Sequence, residues 1–310
     1  MFRSLLVPVD GSPFAEHALP LALSVARRAG ARIQLVHVHP PLANAPKAYG
    51  FDFLALDAHT MEEHRAYLDA LNNRIRKVSS VPLTVTFLEG EIAETLRVTA
   101  SSTETDLVVI TTHGHGPLQR FWVGSVADAL VRQLSVPLLL LRPHENGVDL
   151  TKEPVIKRIV LPLDGSALAE QILPPALDLG RLMDAEFTLL RVVKPVYLPA
   201  YPGGLTGGSY VQQAERLVQE IQKAQENLWQ EAADYLESVA KRVRAESLRC
   251  QTRVATEEHA AAAILGQPAD VIAMETHGRR GLSRLVLGSV ADKVLRGATV
   301  PMLVHRPVYP

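Results

Sequence analysis

The sequence predicts an α/β protein with two repeated doubly wound domains, each with a five-stranded parallel sheet flanked by helices. Apolar runs of strand length alternate with helical patterns, which is typical of parallel βαβ units. Asp10-Gly11-Ser12 recurs as Asp164-Gly165-Ser166. Thr-His-Gly, followed by nine residues and Gly-Ser-Val-Ala-Asp, begins at Thr112 and again at Thr276. Two copies of so specific a pattern indicate an internal repeat.

The composition of the chain argues against several classes of protein. The 310 residues suffice for two domains. The formal net charge of −1 argues against a nucleic-acid binder or a ligand of anionic membranes. Cys250 is the single cysteine and has no partner for an internal disulfide. The apolar run at the N-terminus is too short for a signal peptide, and other runs fall short of the roughly 18 residues of a membrane span. We therefore expect a cytoplasmic protein that binds neither nucleic acid nor membranes.

The first half is predicted to contain five strands joined by helices. Ser12 is placed to cap a helix that starts at Pro13. A loop rich in Pro, Ala and aromatic residues covers about 40–57. The predicted strands are 3–9, 32–38, 83–88, 106–111 and 138–141, and the later helices are 58–78, 91–101 and 125–134.

The pattern then restarts. Polar residues 144–154 form the predicted linker between domain 1–143 and domain 155–310. The repeat offset grows from 154 to 164 residues, so about ten residues are inserted, and 194–210 is the Pro- and Gly-rich place for them. The long helix expected at about 210–244 is either a lid or partner surface, or a solvated helix. Pro174-Pro175 predicts a kink or a late helix start.

Two motifs, one at the start of a half and one near its end, are shared with a known family. Val7-Pro8-Val9-Asp10-Gly11-Ser12, with Gly, nine residues and Gly-Ser near the end of the half, resembles a universal stress protein domain. The whole chain resembles a tandem universal stress protein over 3–141 and 157–304. The resemblance implies a five-stranded parallel sheet and, in one branch of the family, ATP at the carboxyl ends of the strands. That position agrees with the general rule for open parallel sheets.

The resemblance also implies which residues would hold the nucleotide. The acid after the first strand lies near the ribose or a metal, the backbone at the end of the second strand contacts adenine, and the glycine loop surrounds the phosphates. In this sequence the matching positions are Asp10, Val38, His113, Gly114, Gly124 and Ser125 in the first half, and Asp164, Val192, His277, Gly278, Gly288 and Ser289 in the second.

Two positions depart from the ATP-binding pattern, which has a further glycine three residues before the central one. Thr111 and Glu275 stand there. A carboxylate about 5 Å from a phosphate charge would cost roughly 3 kcal/mol per charge at an effective dielectric near 20. A divalent cation or Arg279 and Arg280 would offset this repulsion, and a side chain directed away from the pocket would avoid it. The first half is therefore the better candidate for ATP, with or without Mg²⁺.

Several site residues have structural alternatives. Asp10 and Asp164 fit ordinary turn chemistry as well as a ligand role. Ser125 and Ser289 fit helix capping as well as phosphate contact. A cluster of His37, His39, His113 and His115 could hold a metal, but no ligand spacing supports it, so no metal site is predicted. No catalytic residue is predicted, because no nucleophile elbow or positioned base stands out.

The last apolar strands of the two halves, 137–141 and 301–304, are expected to pair with each other in an internal pseudo-dimer, because an unpaired apolar edge favours association. A homodimer of whole chains is compatible with this pairing. The predicted function is a cytoplasmic stress-response protein that binds an adenine nucleotide and signals to an unidentified protein partner with little or no catalysis. The alternatives are a nucleotide-independent interaction scaffold with degenerate glycine loops and a slow ATPase.

Overall fold

The computed structural model describes residues 1–40, 53–112, 124–144, 146–197, 208–276 and 287–307. In the first half the strands are β1 (Ser4–Pro8), β2 (Arg32–His39), β3 (Leu83–Glu89), β4 (Leu107–Thr111) and β5 (Leu138–Leu141). The helices are α1 (Leu19–Ala29), α2 (Phe53–Val78), α3 (Ile92–Ser102) and α4 (Ser125–Gln133).

The second half repeats this order. Its strands are β6 (Arg158–Pro162), β7 (Glu186–Val193), β8 (Cys250–Thr256), β9 (Val271–Glu275) and β10 (Met302–His305). Its helices are α5 (Leu173–Met183), α6 (Gly208–Ala245), α7 (Ala260–Leu265) and α8 (Ser289–Gly297). The predicted long helix is confirmed, and α6 has 38 residues.

One ten-stranded sheet runs through both halves in the order β3-β2-β1-β4-β5-β10-β9-β6-β7-β8. Neighbouring strands within each half are parallel, which confirms the predicted fold class. The single antiparallel junction joins β5 to β10, with Leu139 opposite Leu303. The predicted pairing of the last two apolar strands is therefore confirmed.

Two apolar layers cover the faces of the sheet. One contains side chains from α1, α2, α5 and α6, and the other contains side chains from α3, α4, α7 and α8. Side chains of adjacent strand residues point to opposite faces, so Leu5 and Val7 enter the first layer while Leu6 enters the second. Within the described residues, no helix combines the length and apolar character needed to cross a bilayer.

The first helix of each half starts after a short 3₁₀ turn. Ala15–Ala18 precedes α1, and Ala169–Ile172 precedes α5. The Ser12 hydroxyl accepts the N–H of Ala15 at 3.2 Å, but Phe14 holds the N-cap position of the turn and no side chain caps it. Pro20 and Pro174 lie in the first turns of α1 and α5, where a missing N–H leaves no intrahelical hydrogen bond unmade. The late start expected from Pro174-Pro175 is therefore observed in the second half, whereas the start at Pro13 expected in the first half is wrong.

Reciprocal arginine contacts tie the two halves together beside the β5–β10 junction. The guanidinium of Arg142 donates to the carbonyl of Arg296 at the end of α8. In the opposite direction, Arg306 donates to the carbonyl of Gln133 at the end of α4, at 3.4 Å. A positive charge at a helix C-terminus is favourable because the carbonyls there carry partial negative charge.

Candidate functional site

The strand order creates one crevice in each half. In the first half the chain passes from β1 outward to β2 and β3, and then returns to β4 on the other side of β1. Such a reversal leaves an opening beyond the carboxyl ends of the two central strands, where ligands bind in open α/β sheets. The second half has the same reversal between β6 and β9. The predicted acids and glycine loops belong to these two places.

Asp10 and Asp164 each close a tight turn after the first strand of their half. Oδ1 of Asp10 accepts the N–H of Ser12 at 2.9 Å and its hydroxyl at 2.6 Å. Asp164 accepts from Ser166 at the same two distances. Gly11 has φ of 84°, which a side chain would strain. The turn alternative is therefore observed in both halves, and Asp10 is in addition exposed at its crevice.

Val38 and Val192 lie at the matching place on the neighbouring strand. Val38 is 7% exposed and pairs in register with Leu88, while Val192 pairs with Ala255. Both valines are thus held by parallel ladders on the flank of their crevice. Their backbone positions are set by the sheet and not by a loop.

Hydrogen bonds join the described ends of each glycine loop. The N–H of Gly124 donates to the carbonyl of Thr112 at 2.6 Å, and that of Gly288 donates to Thr276 at 2.9 Å. Each loop therefore leaves and re-enters the fold at one point, directly after β4 or β9. His113, Gly114, His277 and Gly278, which were predicted to contact phosphate, lie outside the described residues.

The serines after these glycines do not cap their helices. Gly124 and Gly288 occupy the N-cap positions, and no side-chain capping bond is made. Ser125 and Ser289 are the first helical residues and are exposed. The capping alternative is therefore wrong for both, because glycine takes the cap position one residue earlier. Both hydroxyls stand at the positive end of a helix.

A buried acid closes the inner side of the second crevice. Glu275 ends β9, is 4% exposed, and lies opposite His305 in the β9–β10 register. The two side chains are bonded through Oε1 and Nδ1 at 2.7 Å, while Oε2 is buried without a hydrogen-bond partner. Burial raises the pKa of Glu275 to about 7, and His305 partly opposes this shift. The side chain is thus buried against His305 and is not exposed at the mouth of the crevice.

The first crevice has no charge at the matching place. Thr111 ends β4 and is 5% exposed, and its register partner on β5 is Leu141. A hydroxyl and an aliphatic side chain thus replace the carboxylate and imidazole of the second half. The described part of the first crevice is therefore the less repulsive environment for phosphate.

A polar network repeated in both halves was missed by sequence reasoning. Glu16 accepts from the Tyr67 hydroxyl at 3.3 Å and pairs with Arg74 at 2.9 Å. The same contacts recur between Glu170, Tyr235 and Arg242. Burial and the adjacent carboxylate raise the pKa of Tyr67. The available signal was the shared offset of the two glutamates, together with a Tyr and an Arg seven residues apart in each long helix.

Three imidazoles meet between β2 and α2 in the first half. This histidine cluster consists of His37, His39 and His64. The His37 and His64 ring centroids are 4.2 Å apart, and Nδ1 of His39 lies 3.3 Å from Nδ1 of His64. Nε2 of His39 contacts Asp57 at 2.8 Å. The predicted neighbours His113 and His115 lie outside the described residues. Within the described part of the chain, no three potential ligands are arranged to hold a metal ion.

The chain is similar to known proteins in family, sequence and fold. A family model described as the universal stress protein family matches residues 1–142 and 156–306. A universal stress protein of Mycolicibacterium smegmatis is 25% identical over 98% of this chain and 97% of its own length. One from Mycobacterium tuberculosis is 28% identical over 66% of this chain, a match that spans 63% of that relative. The crystal structure of a universal stress protein from Archaeoglobus fulgidus superposes with a TM-score of 0.64 at 17% identity, covering 98% of this chain and 96% of that one.

Proposed function

Because the chain belongs to the universal stress protein family, we propose that its first crevice binds an adenine nucleotide, ATP with or without Mg²⁺. The protein then acts in a cytoplasmic stress response as a sensor or signalling module with little or no catalysis. Nucleotide occupancy changes the surface offered to a protein partner. The nucleotide would lie between the turn at Asp10, the β2 backbone at Val38 and the start of α4.

The observation that carries the proposal is the start of α4. The bond from Gly124 to the carbonyl of Thr112 brings the helix N-terminus directly beside the end of β4. The first N–H groups of a helix have no intrahelical partner and face an anion favourably. Ser125 adds an exposed hydroxyl there. Thr111 beneath this point carries no charge, so the repulsion that Glu275 would exert on a phosphate is missing at this position.

The described residues of the first crevice favour binding over turnover. Oδ1 of Asp10 accepts two hydrogen bonds from Ser12, which hold the carboxylate in the turn after β1. Asp10 is thus placed to orient a ribose or a hydrated cation, and we assign it no proton-transfer step.

Glu275 favours a different role for the second half. Its carboxylate and His305 fill the place that is uncharged in the first half. We propose that this half is a nucleotide-independent interaction scaffold, whose crevice no longer accepts polyphosphate. The two halves then divide binding and scaffolding between them.

The experiment compares two matched variants. Ligand released from natively purified protein is identified by mass spectrometry, and Mg-ATP is titrated calorimetrically into wild type, Ser125→Glu and Ser289→Glu. A glutamate in the first turn of a helix is compatible with folding, but it repels phosphate. We expect Ser125→Glu to weaken binding about a hundredfold, from roughly 3 kcal/mol of repulsion at 5 Å, and Ser289→Glu to bind as wild type does.

Two outcomes would contradict this assignment. Loss of binding in Ser289→Glu alone would move the working site to the second half. No co-purified nucleotide and no measurable titration in any of the three proteins would leave an interaction scaffold as the function of both halves.

A further inference from the structure

The histidine cluster is buried where α2 packs on the sheet. His37 and His39 are 2% and 3% exposed. The His37 ring stacks on Phe87 of β3 at 5.8 Å between centroids, and both of its nitrogens are buried without a hydrogen-bond partner. The cluster therefore holds the His37 ring in a buried site in contact with a second imidazole. A proton that enters it meets both desolvation and like-charge repulsion.

We propose that the histidine cluster is an acid-responsive latch, whose protonation releases α2 from the sheet in the first half while α6 stays docked in the second. This inference is independent of nucleotide binding. It adds a response to protons, located in one half of the chain.

A proton is the ligand that the geometry favours. The Nδ1 atoms of His39 and His64 face each other at 3.3 Å, close enough for one hydrogen to be shared between them. The described residues do not bring three such groups into a metal-binding arrangement. Asp57 contacts the outer nitrogen of His39, so it can balance a charge on that ring.

Other ionisable groups surround the latch. Asp10 lies close enough to raise the pKa of His37 slightly. Arg65 of α2 stands 4.8 Å from the centre of the Phe87 ring, and Glu89 pairs in register with His39. The remaining neighbours form the network already described, with Tyr67 bonded to Glu16 and Glu16 bonded to Arg74.

Burial and the two neighbouring imidazoles lower the pKa of His37 to about 4, from its ordinary value of 6.5, with burial as the larger cause. An unfolded or locally opened chain therefore takes up a proton below pH 6.5 that the closed form refuses. The stability from this group is fully present above pH 6.5 and is lost as the pH falls toward 4. By this linkage, opening at pH 5.5 should be about tenfold more frequent than at pH 7.5.

The second half provides an internal control. The glutamate–tyrosine–arginine contacts align α2 with α6 at an offset of 168 residues. At the positions that match the histidine cluster, the second half has Arg191, Val193 and Ala232. No imidazole is present there, so the described part of that packing lacks the acid response.

The test is hydrogen–deuterium exchange of the full chain at pH 7.5 and 5.5, corrected for the intrinsic pH dependence of exchange. We expect opening of residues 65–78 to increase about tenfold at the lower pH, with residues 233–245 unchanged. His37→Phe keeps an aromatic ring on Phe87 and removes the titration, so it should abolish the increase. His59→Gln changes an exposed histidine of α2 and should keep it.

Imidazole C2 hydrogen exchange in wild type gives each histidine's pKa without a variant, and a value for His37 well below 6.5 is expected. A value near 6.5, equal acid responses of α2 and α6, or an undiminished response in a folded His37→Phe would overturn the proposal. So would Zn²⁺ at micromolar concentration protecting α2 in wild type, since the cluster would then be a metal site.

Discussion

The two halves share one frame and differ at the carboxyl ends of the same strands. Between β4 and β5 the first half places Thr111 beside Leu141, whereas the second places Glu275 beside His305. On the neighbouring strand, the first half has the histidine cluster around His37, whereas the second has Arg191 at the matching position of β7. The two crevices thus differ at two places, in whether a carboxylate is present after the fourth strand and in whether the second strand carries imidazoles or a guanidinium. The shared sheet sets the positions of these side chains, and the residue types at these few positions set the chemistry of each crevice.

The shared frame itself contains polar groups. Glu16, Tyr67 and Arg74 join the 3₁₀ turn to α2, and their counterparts join the matching turn to α6. The two halves therefore dock their long helices by one mechanism. The predictions below test where the halves differ in chemistry and where they are alike.

The largest expected difference concerns Glu275. Its folded pKa of about 7 lies above the ordinary 4.5, so its contribution to stability is present below pH 4.5 and is lost as the pH rises through 7. Glu275→Gln cannot ionise. The free energy of unfolding of this variant, relative to wild type, should rise by about 2.5 kcal/mol between pH 5 and pH 8. Urea denaturation at the two pH values measures it.

Thr111→Ser is the matched control in the first half, and its difference from wild type should be the same at both pH values. A Glu275→Gln difference that also stays constant with pH would show that the carboxyl group keeps an ordinary pKa. The chemical contrast between the crevices would then be smaller than their geometry indicates.

Periodicity and the internal repeat were enough to predict the parallel sheets, whereas the junction of β5 with β10 was predicted from the family resemblance and the unpaired apolar edges. Local signals were weaker at helix starts. Ser12 and Pro13 suit a helix, but the backbone makes a 3₁₀ turn first and α1 begins at Leu19. Ser125 suits a cap, yet Gly124 takes that position. The cap differs by one residue, but the start of α1 differs by more than a turn, because a 3₁₀ turn occupies the residues in between.

Candidate site residues could be named only where they belong to a local motif. Asp10 and Gly124 were singled out because each belongs to a motif that the family shares. Tyr67 was missed because its partner, Glu16, is 51 residues away and joins it only when α2 docks. His64 was missed for the same reason, although His37 had been singled out. Contacts between elements depend on the packing angle and register, which one sequence does not display.

The next prediction concerns one buried contact at which the two halves distribute side-chain volume differently. Gly180 of α5 packs on Phe187, and an added Cβ would lie 2.1 Å from the ring. The matching positions of the first half hold Ala26 and Ile33. Gly180→Ala should destabilise by about 2 kcal/mol, because the clash in a fully buried site outweighs the gain of roughly 1 kcal/mol in helix propensity. The urea-denaturation free energy measures this change.

A second substitution tests whether the contact with Phe187 causes the loss of stability. Phe187→Ile in the Gly180→Ala background recreates the pair of the first half, and stability should return to within about 1 kcal/mol of wild type. If the double variant is as unstable as the two single changes added together, the contact between these side chains is not what couples the two positions.

The smallest expected effect tests whether the glutamate–tyrosine–arginine networks of the two halves contribute equally to stability. Tyr67→Phe and Tyr235→Phe each remove one hydroxyl bond to a glutamate and keep the ring in place. Each should lower the free energy of unfolding by about 1 kcal/mol, because Arg74 or Arg242 still pairs with the glutamate that remains. Thermal and urea denaturation of the two variants beside wild type give the comparison. If only one of the two substitutions lowered the free energy of unfolding, the two networks would contribute unequally to stability. The halves would then differ in this shared network as well.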